Sequence, residues 1–169
     1  MEHRPTPTDA RAIGAAGDIT TIGEVVRSMA RRVAGADGAT FVLREGERCY
    51  YADEDAIAPL WKGQRFPMSD CISGWAMSRG VPAVVADIEI DERIPIEAYR
   101  PTFVRSLVMV PVGDPATAAI GAYWKTHGTP PDYALEGLLE LAHLVEVAIA
   151  MIGTEGAPWA PSFGPDART

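Results

Sequence analysis

Cysteine is scarce in this chain, and only Cys49 and Cys71 occur among its 169 residues. Two thiols cannot build the disulfide framework of a small secreted domain or a Cys-based zinc site. They fit reduced thiols, and a cytoplasmic location is expected. Histidine is equally thin: His3, His127 and His143 are widely spaced, and no two have ligand spacing on a common element. His143 could serve a haem alone, but a polar position on an exposed helix face accounts for it. Cationic charge is short as well, with 15 Lys and Arg against 23 Asp and Glu and a formal net charge of -8. Nucleic-acid binding needs clustered cations to replace phosphate counterions, and Arg31-Arg32 and the segment Lys62 to Arg65 are too small to supply them. No apolar run reaches the ~18 residues of a membrane span, because the last long apolar stretch is interrupted by Glu136, Glu140, His143 and Glu146. The N-terminus lacks the apolar core of a signal peptide. There is no internal repeat, phosphate loop, nucleophile elbow or supported pair of catalytic carboxylates.

What remains is enough for one domain with a single substantial core. Residues 1–17, with Pro5, Pro7, Gly14 and Gly17, read as a mobile leader. Ile22, Val25, Val26, Met29 and Val33 follow helical spacing and predict a helix over 19–34, capped by Asp18 or Thr20 and ended by Gly35. Two apolar runs, 39–44 and 48–51, flank Glu45-Gly46-Glu47 and predict a hairpin. Residues 54–63 are ambiguous between a helical turn and a loop. Phe66-Pro67-Met68 is short and extended, and Ser69 or Asp70 caps a helix over 71–78 that ends at Gly80. A strand at 83–86 precedes a polar crossover over 87–104, with a turn of helix at 95–99. Strands at 106–112 and 118–125 follow, joined around Gly113-Asp114-Pro115, and Pro111 belongs near the strand's end or at a bulge. Thr129 caps the last helix, Pro130 occupies its first turn, its apolar face runs from Leu138 to Ile152, and Gly153 ends it. Residues 154–169 are a Pro/Gly-rich tail. Hairpins rather than β-α-β units imply an antiparallel α+β sheet. The terminal helices cover one face, and the small helix and crossover cover the other.

The stretches FPMSDCISGWAMSRGVPAVVADI, DERIPIEAYRPTFVRSLVMVPV and AIGAYWK, in this order, resemble a GAF domain, the small-molecule-sensing module of bacterial signalling proteins. The chain is most similar to GAF domains of alphaproteobacterial-type sensor histidine kinases, and the likeness covers roughly residues 25–152. The resemblance implies a GAF-like (profilin-like) sheet over 18–153, a pocket beneath the crossover, and dimerisation through helices 19–34 and 131–152. Apolar stripes on both helices fit a bundle seam, and equally fit helices that merely cover a monomer's sheet. A histidine kinase or another signalling protein is a possible partner. The family's chemistry departs here in several ways. The Asn-Lys-Phe-Asp-Glu signature of cyclic-nucleotide-binding members is absent. The crossover holds neither the Cys nor the His by which tetrapyrrole-carrying members hold a chromophore. Ser73 occupies a position where free-methionine sulfoxide reductases have Cys, so no catalysis of that type is expected and the cofactor is unknown.

Candidate ligand contacts beneath the crossover are Trp61, Cys71, Trp75, Arg93, Tyr99, Arg100, Phe103, Ser106 and Tyr123. Arginine offers a planar fork for carboxylate or phosphate, and tyrosine adds a ring and a hydroxyl. Arg93 either meets a ligand or pairs with Asp87, Asp91 or Glu92 to hold the loop. Trp61 and Trp75 either wall an apolar pocket or belong to the core. Tyr123 and Trp124 point to opposite faces of a strand, so at most one faces the pocket. Cys71, at a helix N-terminus, is either a redox-sensitive thiol or a small buried residue. Three functions stay open: a sensory module that reports through its terminal helices, a ligand-free interaction module, and an enzyme working through Cys71.

Overall fold

The computed structural model describes residues 3–154. Six antiparallel strands form one sheet in the order β3-β2-β1-β6-β5-β4, from β1 (Gly38–Glu45), β2 (Arg48–Ala56), β3 (Arg65–Pro67), β4 (Ala83–Val85), β5 (Ser106–Gly113) and β6 (Ala116–Trp124). Alternation of side chains gives the sheet two apolar faces, because successive Cβ atoms point to opposite sides. β5 sends Val108, Val110 and Val112 one way and Leu107 and Met109 the other. β6 likewise divides Ile120 and Ala122 from Ala119 and Tyr123. Each face therefore has its own core. This is the α+β, GAF-like architecture expected, with terminal helices on one side and the crossover on the other.

On the first face lie α1 (Pro7–Ala15), α2 (Ile19–Ala34) and α5 (Asp132–Thr154). Ile22, Val26, Met29 and Val33 of α2 are buried against the sheet and α5. Asp18 accepts a 2.8 Å hydrogen bond from the Thr21 N–H, and Gly35 ends the helix in the left-handed conformation at φ 61°, which glycine adopts at no steric cost. The outer side of α2 is polar but occupied: Arg27 and Arg31 reach Asp53 (2.8 Å) and Asp55 (2.9 Å) on β2.

Several sequence expectations need correction. The segment read as a mobile leader contains α1, which is docked, with Ile13 1% exposed and buried Asp9 paired to Arg32 of α2. Pro7 sits in its first turn and Thr6 and Asp9 form a reciprocal capping box, so the proline starts a helix rather than breaking one. β2 runs five residues past Tyr51, to Ala56, because its acidic end is neutralised from α2 and by Lys62, 3.1 Å from Asp53. α5 begins at Asp132, so Thr129 and Pro130 precede it. The tail expected over 154–169 lies outside the described residues, apart from Thr154, which closes α5.

Candidate functional site

The second face is roofed by a loop at 57–64, by α3 (Ile72–Arg79) and by the crossover with its single turn α4 (Ile96–Tyr99). A 3-10 turn at Met68–Asp70 delivers the chain into α3 with Cys71 at the N-cap, so neither Ser69 nor Asp70 caps it, and no side chain does. α3 seats closely because residue 74 is glycine. A Cβ there would lie 2.6 Å from the Met68 carbonyl carbon, nearer than real contacts allow.

Glu54 organises the loop. Its carboxylate accepts from the backbone N–H groups of Leu60 (2.9 Å), Trp61 (2.9 Å) and Lys62 (3.0 Å), a three-donor nest for one anion. This pins Trp61 under the crossover, where its Nε1 donates to the Ala98 carbonyl at 3.0 Å. The Trp61 ring lies 4.7 Å from Tyr99, 5.4 Å from Tyr123 and 5.6 Å from Tyr51, centroid to centroid, all within the range of favourable aromatic pairing. What remains open is a cavity of about 10 Å³, bounded by Tyr51, Trp61 and Phe66 on one side and Cys71, Pro95, Ala98 and Tyr99 on the other. That is about the volume one water needs.

The three tyrosine hydroxyls around it differ. Tyr51 shares a 3.0 Å hydrogen bond with Ser73, and Tyr123 a 2.9 Å one with Thr40. Tyr99 is 3% exposed, and among the described residues its hydroxyl has no hydrogen-bond partner. Burial, more than neighbouring charge, drives all three phenols above their ordinary range, so they stay neutral and able to donate. Beside Tyr51 sit the two thiols, with Cys71 Sγ 3.2 Å from Cys49 Sγ. The Ser73 hydroxyl lies 3.4 Å from Cys71 Sγ, and Met68 Sδ lies 3.4 Å from Cys49 Sγ.

Of the residues singled out in the sequence, Trp61, Cys71 and Tyr99 line the cavity, and Tyr123 stands directly behind Trp61. Trp124 points to the helical face. Phe103 packs partly buried against the core on the crossover face. The others are elsewhere. Arg93 grips Asp91 with two hydrogen bonds (2.9 and 2.6 Å) and stacks 4.5 Å over Trp75, outside the cavity, so its fork is spent on the loop. Arg100 is exposed and pairs with Glu97 at 2.7 Å. Ser106 is buried, with its hydroxyl donated to the Thr126 carbonyl at 2.8 Å. Sequence reasoning missed Tyr51, Glu54 and Phe66. Strand alternation in β2, which places Tyr51 on the same face as Cys49, was the available signal for Tyr51, while nothing local marks Glu54 as a loop anchor. Among the described residues no group of three or more His, Cys, Asp or Glu is arranged to hold a metal ion.

A second concavity lies on the opposite face, an apolar groove of about 360 Å³ between α1 and α5 with Ile13, Gly14, Leu144 and Val147 along it. Val147 of α5 remains 48% exposed there, and Leu139, 42% exposed, lines an adjoining hollow beside Pro5, Thr6 and Pro7.

No protein-family model matches the chain, and no curated protein matches it. Solved structures do. The free methionine-R-sulfoxide reductase of Neisseria meningitidis, seen with its substrate, superposes at a TM-score of 0.76 with 18% identity over 88% of both chains. The GAF domain of an Acinetobacter phosphoenolpyruvate-protein phosphotransferase gives 0.73 with 14% identity, over 88% of this chain and 92% of that one. The phycoerythrobilin-bound GAF domain of a cyanobacterial phytochrome gives 0.71 with 18% identity, over 88% and 95%. At these identities the likeness establishes the GAF-like fold.

Proposed function

We propose that this chain is a non-catalytic sensory module: a small molecule enters beneath the crossover, and the terminal helices carry the response to a partner. The observation that carries the reading is the Tyr99 hydroxyl, buried and without a partner at the wall of the cavity. An unsatisfied buried donor costs about 1–3 kcal/mol, and a ligand that accepts from it recovers that cost. Two proteins of the same fold are described with small molecules, one with its substrate and one with phycoerythrobilin. The ligand expected here is small, flat and apolar with one hydrogen-bond acceptor, because aromatic rings wall the site and the nearby arginines are spent on carboxylates. Entry requires the crossover to lift, since the cavity holds about one water. The lifted state is then the one the ligand stabilises.

Native mass spectrometry of the purified protein, paired with an absorption spectrum and a thermal-shift screen, tests this. The expected result is a bound species, or a stabilising compound, whose affinity drops about fivefold or more in Tyr99→Phe. Compounds that bind Tyr99→Phe and Trp61→Ala as tightly as the wild type would overturn the assignment.

For output, α2 is a poor candidate surface because its apolar stripe is spent on the sheet. The exposed apolar residues Leu139 and Val147 favour the outer face of α5, with α1 beside it, as the seat of a second copy in a homodimer. A histidine kinase or another signalling protein is the alternative occupant. The smallness of the cavity favours a second reading, a ligand-free interaction module, in which α5 does the same work with no input from the crossover.

A further inference from the structure

We propose that Cys71 and Cys49 are a peroxide-responsive thiol pair, in which hydrogen peroxide oxidises Cys71 and Cys49 then closes an intramolecular disulfide between β2 and the start of α3. The inference is independent of the ligand reading above. It rests on the placement of two sulfurs and one cavity.

The sulfurs lie 3.2 Å apart, in elements held rigidly by the sheet and by the close seat of Gly74. A disulfide needs about 2.05 Å, so side-chain rotation must close only about 1.2 Å. The two thiols have different access. Cys71 lines the cavity beneath the crossover, whereas Cys49 is fully buried behind it against Met68. With the crossover down, a cavity of about 10 Å³ beside Cys71 suits an oxidant close to water in size.

The environment also assigns the roles. The Cys49 thiol, the Ser73 hydroxyl and the Gly74 backbone N–H hydrogen-bond to Cys71 Sγ and bring it down to about 7, while burial and Asp70 oppose them. Hydrogen bonding to Cys71 and burial push the Cys49 thiol up, so Cys49 keeps its proton. The remaining titratable groups facing the pair are Tyr51, Tyr99 and Tyr123, which are neutral phenols, and Arg44, whose charge works against the rise of the Cys49 thiol without overcoming it. Cys71 is thus the thiolate that attacks, and its oxidation rate rises as pH increases through about 7.

The chemistry balances. The Cys71 thiolate attacks one peroxide oxygen and the O–O bond breaks. Sulfenic acid forms on Cys71, and the leaving hydroxide takes up the proton the thiol had given away. Cys49 sulfur then attacks the sulfenic sulfur, the S–OH bond breaks, and its hydroxyl leaves as water with the Cys49 proton. The two thiols lose two electrons in all, and one peroxide becomes two waters.

The test treats the full-length protein with hydrogen peroxide, alkylates it after denaturation and measures intact mass and a non-reducing peptide map. The wild type is expected to become lighter by two hydrogens, to lose both alkylation sites, and to yield a Cys49–Cys71 linked peptide within a single chain. Cys49→Ala should instead accumulate sulfenic acid at Cys71, trapped as a dimedone adduct, and Cys71→Ala should keep Cys49 reduced. A wild-type map without the linked peptide, or with both thiols still alkylated, overturns the proposal. So does oxidation of Cys49 in Cys71→Ala at the wild-type rate. If either variant fails to fold, the wild-type map decides alone.

Discussion

Tyr99 carries opposite energetic signs in its two states, and this can be measured. In the free protein its hydroxyl is buried without a partner, so Tyr99→Phe should stabilise by about 1 kcal/mol, read as a higher urea midpoint at unchanged slope. Binding of an accepting ligand should reverse the order of the two proteins. A variant that merely damaged packing would lose stability in both states. Residue-level legibility was uneven. Trp61 and Tyr99 were readable as pocket candidates because large aromatics near a crossover have few other places to go. Arg93 was not, because a guanidinium two residues from Asp91 fits a ligand clamp and a local ion pair equally until geometry chooses. The nearness of Cys49 and Cys71, 22 residues apart, depends on the β2–β3 pairing and the 3-10 turn that follow from the whole fold.

At the scale of elements, α1 and the far end of β2 are the places where local composition misled. Prolines and glycines suggested an unstructured leader, yet Thr6-Pro7-Thr8-Asp9 is a helix start, and Ile13 gives the helix its one deep anchor. Ile13→Ala should cost about 2–4 kcal/mol of docking. The loss should appear as faster hydrogen exchange and proteolysis across 7–15, with the sheet unaffected. The run Asp53-Glu54-Asp55 does not read as strand from sequence, because the charges of its aspartates balance only against Arg27 and Arg31 of α2 and Lys62 of the following loop. Burial pushes the Asp53 carboxyl up, but Lys62, the Glu54 N–H and Arg27 outweigh it and hold it below its usual 3.8. A depressed carboxylate contributes fully above pH of about 4 and loses that contribution as pH falls through its lower folded value. Asp53→Asn should therefore cost about 1 kcal/mol at pH 7, discounted for the exposure of both cations, and clearly less at pH 2. Urea midpoints at the two pH values check it. The regular elements α2, β1, β5 and β6 were legible to within a few residues, because their periodicity is the same physics that buries them.

At the scale of the molecule, two cores share one sheet and little else, so the cavity beneath the crossover and the α1/α5 face are separated by a single layer of backbone. If the α1/α5 face seats a second copy, sedimentation velocity should show concentration-dependent association, and Val147→Glu should abolish it with the melting temperature unchanged at concentrations where the wild type is monomeric. A wild type that stays monomeric at all concentrations removes the dimer from the mechanism. β6 has a further consequence. Tyr123 backs Trp61 at the cavity, while the next residue, Trp124, donates from Nε1 to the Gly35 carbonyl at 3.1 Å, at the end of α2. Neighbouring residues of one strand thus grip opposite faces of the sheet, and β6 carries both grips between its partners β1 and β5. Any roll that lifts Tyr123 away from the cavity swings Trp124 the other way and tugs the last turn of α2.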